Sequence, residues 1–258
     1  MKKYHINDSK KLSKSFKLNK TEIFSNKIIK YLYEDLNVLS EHIEQTTEYK
    51  IACGKGCGYC CNTRVEIIEP EAIFIYDYIK NNLNEEQLNS IFNKIQDIVN
   101  ITSQIDKNQH VNLQLPCIFL NNNECSIYEI RPFTCREYHS VDLNSCLRHY
   151  VNLEENAGAL EANKIKDSYY RIILQYRELY LNNNLEFSPS EFLSSLLKIH
   201  EDKEYIKKYF EDKYNIVVNY YLGTSEEMND NELIKRYDIY MYSEDLFLES
   251  ESNNDELF

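Results

Sequence analysis

The sequence has no tryptophan, only five glycines and four prolines, and no long apolar run. So little glycine and proline excludes a turn-rich all-β sandwich and favours long helices with few tight turns. No stretch approaches the roughly 18 apolar residues that a membrane span requires. The N-terminus also lacks the apolar stretch of about 7–15 residues that marks a secretory signal. These absences lead to the expectation of a cytoplasmic protein without a membrane span, in a reducing compartment where disulfides are rare. A basic excess is missing as well: the formal net charge is −13. Nucleic acid is therefore not expected as a partner, because a phosphate backbone calls for a basic face. There is no Gly-rich phosphate loop, no G-x-S-x-G elbow and no H-E-x-x-H pair, so common nucleotide and hydrolase chemistries lack their usual carriers.

What is present is the composition of a folded protein, with 43% hydrophobic and 13% aromatic residues over 258 positions. Ile28, Leu32, Leu36, Leu39 and Ile43 recur at helical spacing and predict a helix from Thr21 to Ile43. A β-branched segment, Val65 to Ile68, precedes a second helix that Pro70 opens, with Ala72, Tyr76, Ile79 and Leu83 on its apolar face. Asn84 and Gln87 form a capping-box signature for a third helix, buried through Leu88, Ile91, Phe92, Ile95, Ile98 and Val99. Cys117–Leu120 and Cys125–Ile127 read as two short strands joined by a turn at Asn121–Asn123, after which Pro132 stops regular structure. Beyond Glu155 the pattern is helical again, with a stripe through Ile165, Tyr169, Ile172, Tyr176 and Leu179. Ser188, Pro189 and Glu191 read as the start of a further helix burying Phe192, Leu193, Leu196 and Leu197, and Tyr205, Ile206, Tyr209 and Phe210 as one more.

The expected fold is mainly α: a helical protein with an irregular cysteine-rich metal-binding region containing a short β-hairpin. Its divisions are a basic tail (1–20), an N-terminal helix (21–49), a cysteine-cluster metal-binding domain (50–150), a helical extension (151–222) and an acidic, partly disordered tail (223–258).

All eight cysteines, Cys53, Cys57, Cys60, Cys61, Cys117, Cys125, Cys135 and Cys146, fall in one window of the chain. Cysteine used merely as a small buried hydrophobe would be scattered among the helical stripes. Gly54, Gly56 and Gly58 lie among the first four, where a backbone has to wrap tightly around a ligand. A cation would gather thiolates from distant segments and offset the loop-closure entropy by its own binding energy. Zinc and iron–sulfur clusters both take Cys₄ sets, so two zinc sites, or one cluster with thiols left over, fit the count equally. Adjacent Cys60 and Cys61 project in different directions and can serve different centres. Cys53-x₃-Cys57-Gly58-Tyr59-Cys60 also fits the local loop of radical S-adenosylmethionine enzymes, but the repeated βα units of their barrel do not follow it.

The combined pattern is more specific than its parts. Cys53-x₃-Cys57-x₂-Cys60-Cys61, Pro116-Cys117-Ile118-Phe119-Leu120 and Cys125-Ser126-Ile127-Tyr128-Glu129-Ile130-Arg131-Pro132-Phe133-Thr134-Cys135-Arg136 together resemble the YkgJ-like CxxCxxCC cysteine-cluster family. The first spacing is x₃ where the family name has x₂. The resemblance implies a zinc- or iron-chelating domain over about residues 50–150. Flagellin lysine N-methylases carry a related cysteine region. That relation implies S-adenosylmethionine-dependent methyl transfer to a protein, and it alone ranks an iron–sulfur centre, [4Fe–4S], ahead of zinc. A zinc-stabilised interaction adaptor is the third reading.

Around the thiols, Arg131 and Arg136 are candidates to face an anionic cofactor or to neutralise a thiolate-rich centre. The packing alternative for them is a salt bridge to Glu129 or Glu137. Tyr128 and Tyr138 are expected to pack around the site and limit solvent access. His139 and His149 are secondary imidazole candidates for zinc, whereas His5, His42, His110 and His200 read as surface or packing residues.

Overall fold

Why the chain coils around the helix predicted first is plain from its burial. In the computed structural model, which describes residues 15–47, 50–54, 56–151 and 163–211, that helix is α1, Glu22–Thr46. Thr21 caps it by accepting the Phe24 N–H at 3.3 Å. Ile28, Leu32, Leu36, Leu39 and Ile43 are all buried, and Ile29 and Tyr33 widen the stripe. At about 1.5–3 kcal/mol for each fully buried large apolar side chain, such a face outweighs local helix propensity. It meets α2, Glu69–Asn82, and α7, Asn163–Leu181. Polar ties fix those contacts: Ser25 Oγ lies 2.8 Å from the Tyr180 hydroxyl, and Tyr176 donates to Asp35 at 2.7 Å.

The second layer is α2 against α8, Phe192–Glu201, which also packs on α3, Glu85–Thr102. The capping box of α3 forms as read: Asn84 accepts the Gln87 N–H at 2.9 Å and Gln87 accepts the Asn84 N–H at 3.0 Å. Phe92, Ile95 and Val99 are buried, and Leu88, Ile91 and Ile98 are half-buried. His200 packs flat on Phe92, with ring centroids 3.8 Å apart. The last described helix, α9, Tyr205–Phe210, closes on α1 and α8.

Strand β1, Glu66–Ile68, pairs antiparallel with β4, Pro189–Glu191, so that Glu66 faces Glu191. This corrects the reading of Pro189 as a first helical residue. The ladder to β1 holds it extended, and the cap moves to Glu191, which accepts the Leu193 and Ser194 N–H groups at 3.1 and 2.7 Å. The hairpin of β2, Leu120–Asn121, and β3, Glu124–Cys125, is shorter than predicted. Its turn residues Asn122 and Asn123 both take positive φ, 51° and 61°, the backbone of a tight two-residue hairpin turn. Pro132 does not end regular structure; it precedes a short helix, α5, Phe133–Glu137. Two further helices were not foreseen, α4, Lys107–Asn112, and α6, Leu143–Val151.

The predicted stripe of α7 shifts slightly. Ile165, Tyr169, Tyr176 and Leu179 are buried, with Ile173 and Tyr180 in place of Ile172. The acidic tail, most of the basic run at 1–20 and the predicted helical start at 155–162 lie outside the described residues. The described residues all belong to one compact unit, Met1–Tyr221. None of their helices is long and apolar enough to cross a membrane.

Two carboxylates are sunk into this helical core at the N-terminus of α2. Glu69 receives the Tyr205 hydroxyl. Glu71 Oε1 receives the Tyr33 hydroxyl at 3.0 Å and the Phe133 N–H at 2.7 Å. Burial pushes both carboxyls up to about 7, the hydrogen bonds opposing it only in part. A raised carboxyl binds its proton more tightly in the folded chain. Stability from this source is therefore full below about pH 4.5 and is lost as the pH rises towards 7. His110, His139 and His200, whose pKa values burial lowers, act in the opposite sense. The share of Glu71 is isolated by difference: Glu71→Gln keeps the acceptor oxygen and removes the titration. Urea unfolding at pH 5 and pH 8 should show wild type losing about 3 kcal/mol relative to the variant. Equal pH dependence in the two proteins would mean that Glu71 ionises normally.

Candidate metal centre

The first cysteine segment is a loop followed by a single 3₁₀ turn, Tyr59–Asn62. Gly56 takes φ of 82° and Cys57 N–H returns to the Gly54 carbonyl at 3.1 Å. Only glycine adopts that backbone without strain. Gly58 is closely packed instead, since a Cβ there would stand 3.3 Å from Leu120 Cδ1 and the leucine would have to shift. Asn62 Nδ2 donates to the Gly58 carbonyl at 2.9 Å and fixes the turn.

The second segment is stitched to the first by backbone. Cys117 N–H donates to the Cys61 carbonyl at 2.7 Å, and Ser126 N–H to the Phe119 carbonyl at 2.8 Å. Cys125 lies in β3, Cys135 in α5 and Cys146 in α6, and α6 packs on the 3₁₀ turn, with Tyr150 and Tyr59 ring centroids 5.6 Å apart. The loop that presents Cys135 is anchored from three sides. Glu71 takes the Phe133 N–H, Thr134 Oγ1 donates to the Glu66 carbonyl, and Arg136 donates to the Arg131 and Glu129 carbonyls.

The result is a cavity of about 710 Å³ walled by Cys57, Cys60, Cys61, Cys117, Cys125 and Cys135. Val65, Phe119, Leu120, Ile127 and Phe192 supply apolar wall, and Glu66, Lys107 and Arg131 polar rim. Lys107 and Arg64 pair with Glu66 at 2.8 and 2.7 Å. Burial works against ionisation of Glu66, but those two cations outweigh it and hold the carboxyl below its ordinary range. The thiols surround the space and do not meet at a point. Among the described residues no three Cys, His, Asp or Glu donors form a ready-made coordination shell. All eight cysteines are free thiols.

The electrostatics are those of crowded sulfur. Burial pushes the Cys117 thiol up to about 11. Cys135 is raised further, by burial and then by Cys117 and Cys60. Cys60 is raised first by its hydrogen bond with Cys61 and then by desolvation. Cys60 is exposed and lines the cavity. A thiolate forms here when a cation arrives to compensate it, and such binding releases protons.

Of the two arginines, Arg131 is the one on the cavity. Its guanidinium stacks 4.0 Å over Tyr128, its Nε is buried with no hydrogen-bond partner, and its charge lowers the pKa of Cys60, Cys125 and Cys135. Arg136 is turned into the scaffold. It donates to Arg131 O, Asn37 Oδ1 and Glu129 O and stacks 4.2 Å over Tyr33. Tyr128 and Tyr138 both line the cavity. His139 and His149 lie outside its lining. His139 Nδ1 sits 3.0 Å from the Glu137 carbonyl with the ring on Tyr169, and His149 Nδ1 is buried without a hydrogen-bond partner. Cys53 and Cys146 are also outside the lining and meet elsewhere, at Ser140.

Sequence reasoning missed Glu71, Ser140, Thr134 and Asn37, which hold the cysteine-bearing loops. Glu71 had one signal, its place beside Pro70 at a helix start.

A thiol-walled cavity set on a helical scaffold thus gathers six of the eight cysteines. In agreement, residues 52–165 match the model of the CxxCxxCC family, a putative zinc- or iron-chelating domain, and the match spans all eight cysteines. Over those residues the chain is similar to that family. No curated protein and no solved structure gives a significant match.

Proposed function

We propose that the cavity holds an iron–sulfur cluster, of the [4Fe–4S] type, on thiolates drawn from Cys57, Cys60, Cys61, Cys117, Cys125 and Cys135. The observation that carries this reading is the shape of the donor set: six thiols, drawn from several segments, spaced around a cavity of about 710 Å³. A lone zinc ion holds sulfur at about 2.3 Å and needs four donors converging on one point. A cubane presents its irons at the corners of a larger body and suits thiols that line a space. Arg131 supports the same reading, as a cation facing thiolates and sulfide that together carry negative charge. Tyr128, Tyr138 and Phe119 would restrict water and so tune the centre. A bound cluster supplies one-electron transfer; the chain supplies ligands, charge compensation and a largely apolar wall.

The test is purification without oxygen, with visible absorbance recorded and iron, acid-labile sulfide and zinc counted per chain. Brown protein with iron and sulfide in equal amounts is the expected result. Colourless protein with zinc and no sulfide, before and after anaerobic reconstitution, would overturn the cluster and leave a zinc-stabilised chelating module.

A further inference from the structure

We infer that the cavity also takes an organic ligand, a monocarboxylate with an apolar body. The Arg131 guanidinium holds its carboxylate, and its body lies against the wall of Val65, Phe119, Leu120, Ile127 and Phe192. This rests on the reading of the cavity as a metal-thiolate site and goes further, in naming the class of molecule that binds beside the metal.

Three cationic side chains line the cavity, those of Arg64, Lys107 and Arg131. Two are committed, since Arg64 and Lys107 both pair with Glu66, at 2.7 and 2.8 Å. Arg131 is not: its Nε is buried with no hydrogen-bond partner among the described residues. A buried donor in that state costs about 1–3 kcal/mol unless something fills it. The guanidinium is nonetheless held in position. It stacks 4.0 Å over the Tyr128 ring, a contact that uses a face of the planar group and none of the N–H donors in its plane. The backbone beneath it is clamped. The Arg131 N–H donates to the Tyr128 carbonyl at 3.4 Å, its carbonyl accepts Arg136 Nε at 2.9 Å, and Pro132 follows.

A planar fork held in this way matches a carboxylate, which accepts two parallel N–H bonds. The acids of the same wall limit the charge of the ligand. Glu124, Glu129 and Glu137 line the cavity together with the thiols, so a dianion such as phosphate meets repulsion that one uncommitted cation does not offset. A single negative charge is what Arg131 balances. The field of the guanidinium still reaches the thiolates, because charge acts at a distance whereas a hydrogen bond needs a partner in contact. The apolar wall sets the rest of the ligand. A metal uses the sulfur part of the lining; Val65, Phe119, Leu120, Ile127 and Phe192 offer carbon surface and no donor atoms. The cavity of about 710 Å³ lies within the range of about 300–1,000 Å³ of sites that enclose small organic molecules.

The experiment is isothermal titration calorimetry of the full chain, purified without oxygen and with its metal and sulfide counted, against hexanoate, 1-hexanol and inorganic phosphate. Hexanoate should bind about tenfold or more tightly than 1-hexanol, which has the same tail and no charge. Phosphate should not displace it. Arg131→Lys keeps the charge and loses the fork, and should weaken hexanoate about tenfold. Arg131→Met keeps the length and should remove the advantage of hexanoate over 1-hexanol. Equal binding of those two probes to the wild-type chain overturns the inference, as does binding of neither or a preference for phosphate. That comparison needs no variant, so it decides even where Arg131→Met does not fold. Hexanoate binding that a folded Arg131→Met leaves intact overturns it as well. The cluster reading fails by a different readout: a colourless zinc protein that binds hexanoate through Arg131 upholds the carboxylate site and removes the cluster alone.

Discussion

Arg136→Ala is expected to cost about 3–5 kcal/mol in urea unfolding, the range for removing one member of a buried charged network. The residue is only 6% exposed. It fills three acceptors, at 2.9 Å to Arg131 O, 2.8 Å to Asn37 Oδ1 and through Nη2 to Glu129 O. Removing it leaves those oxygens buried without donors, at about 1–3 kcal/mol each where water cannot reach. It also strips the cation from the Tyr33 ring and from beside Glu71. Against a total stability of roughly 5–15 kcal/mol for an ordinary domain, this is a large fraction. Arg136→Lys separates stability from site. An ammonium cannot span the three acceptors, so the 129–137 loop should loosen while the helices stay formed. Metal content should then fall with little change in circular dichroism. Full metal content in a folded Arg136→Lys would show that the arginine braces the fold and not the Cys135 loop.

The parts of this architecture that were legible are those set by local pattern. The α1 stripe and the Asn84–Gln87 box depend only on neighbours three and four residues away, and both form. What was not legible depends on partners remote in sequence. Ser188-Pro189-Ser190-Glu191 has a helix-start signature, yet β1 captures Pro189–Glu191 as a strand, and the cap forms one step later. Helix α6 gave no apolar stripe to read: its buried side chains are Ser145 and Cys146, while Leu143 and Leu147 face outward. Glu71 was hidden by number. Among 42 acidic residues, nothing local distinguishes the one that is sunk between Tyr33 and the Phe133 N–H. The cysteine window itself was fully legible, because clustering and spacing are properties of the sequence. Which thiols face one another was not, because the 3₁₀ turn and Ser140 decide it.

Metal removal should unfold the cysteine loops and leave the helical core standing. The reason lies in where each part draws its stability. Helices α1, α2, α7 and α8 bury Ile28, Leu32, Leu36, Ile73, Ile75, Tyr169, Tyr180 and Leu196 at 1% exposure or less, a core whose buried members are aliphatic and aromatic, with Cys117 and Cys125 packed only at its edge. The loops at 50–62 and 114–127 have few buried side chains, a two-stranded hairpin of two residues per strand, and raised thiols that repel one another once ionised. A ligand that binds only the folded chain stabilises it by about 2.7 kcal/mol at a hundred times its dissociation constant, and tightly held metals by far more. Hydrogen exchange on holo and chelator-stripped protein under reducing conditions reads the difference residue by residue. Amides that close the cysteine region, Cys57, Cys61, Cys117 and Ser126, should lose protection by a factor of 100 or more, as that 2.7 kcal/mol implies. Those in the middle of α1 and α8 should change little. Uniform loss across both regions would instead mean that the metal centre is the keystone of the whole fold, and that the buried helical faces alone do not hold the chain.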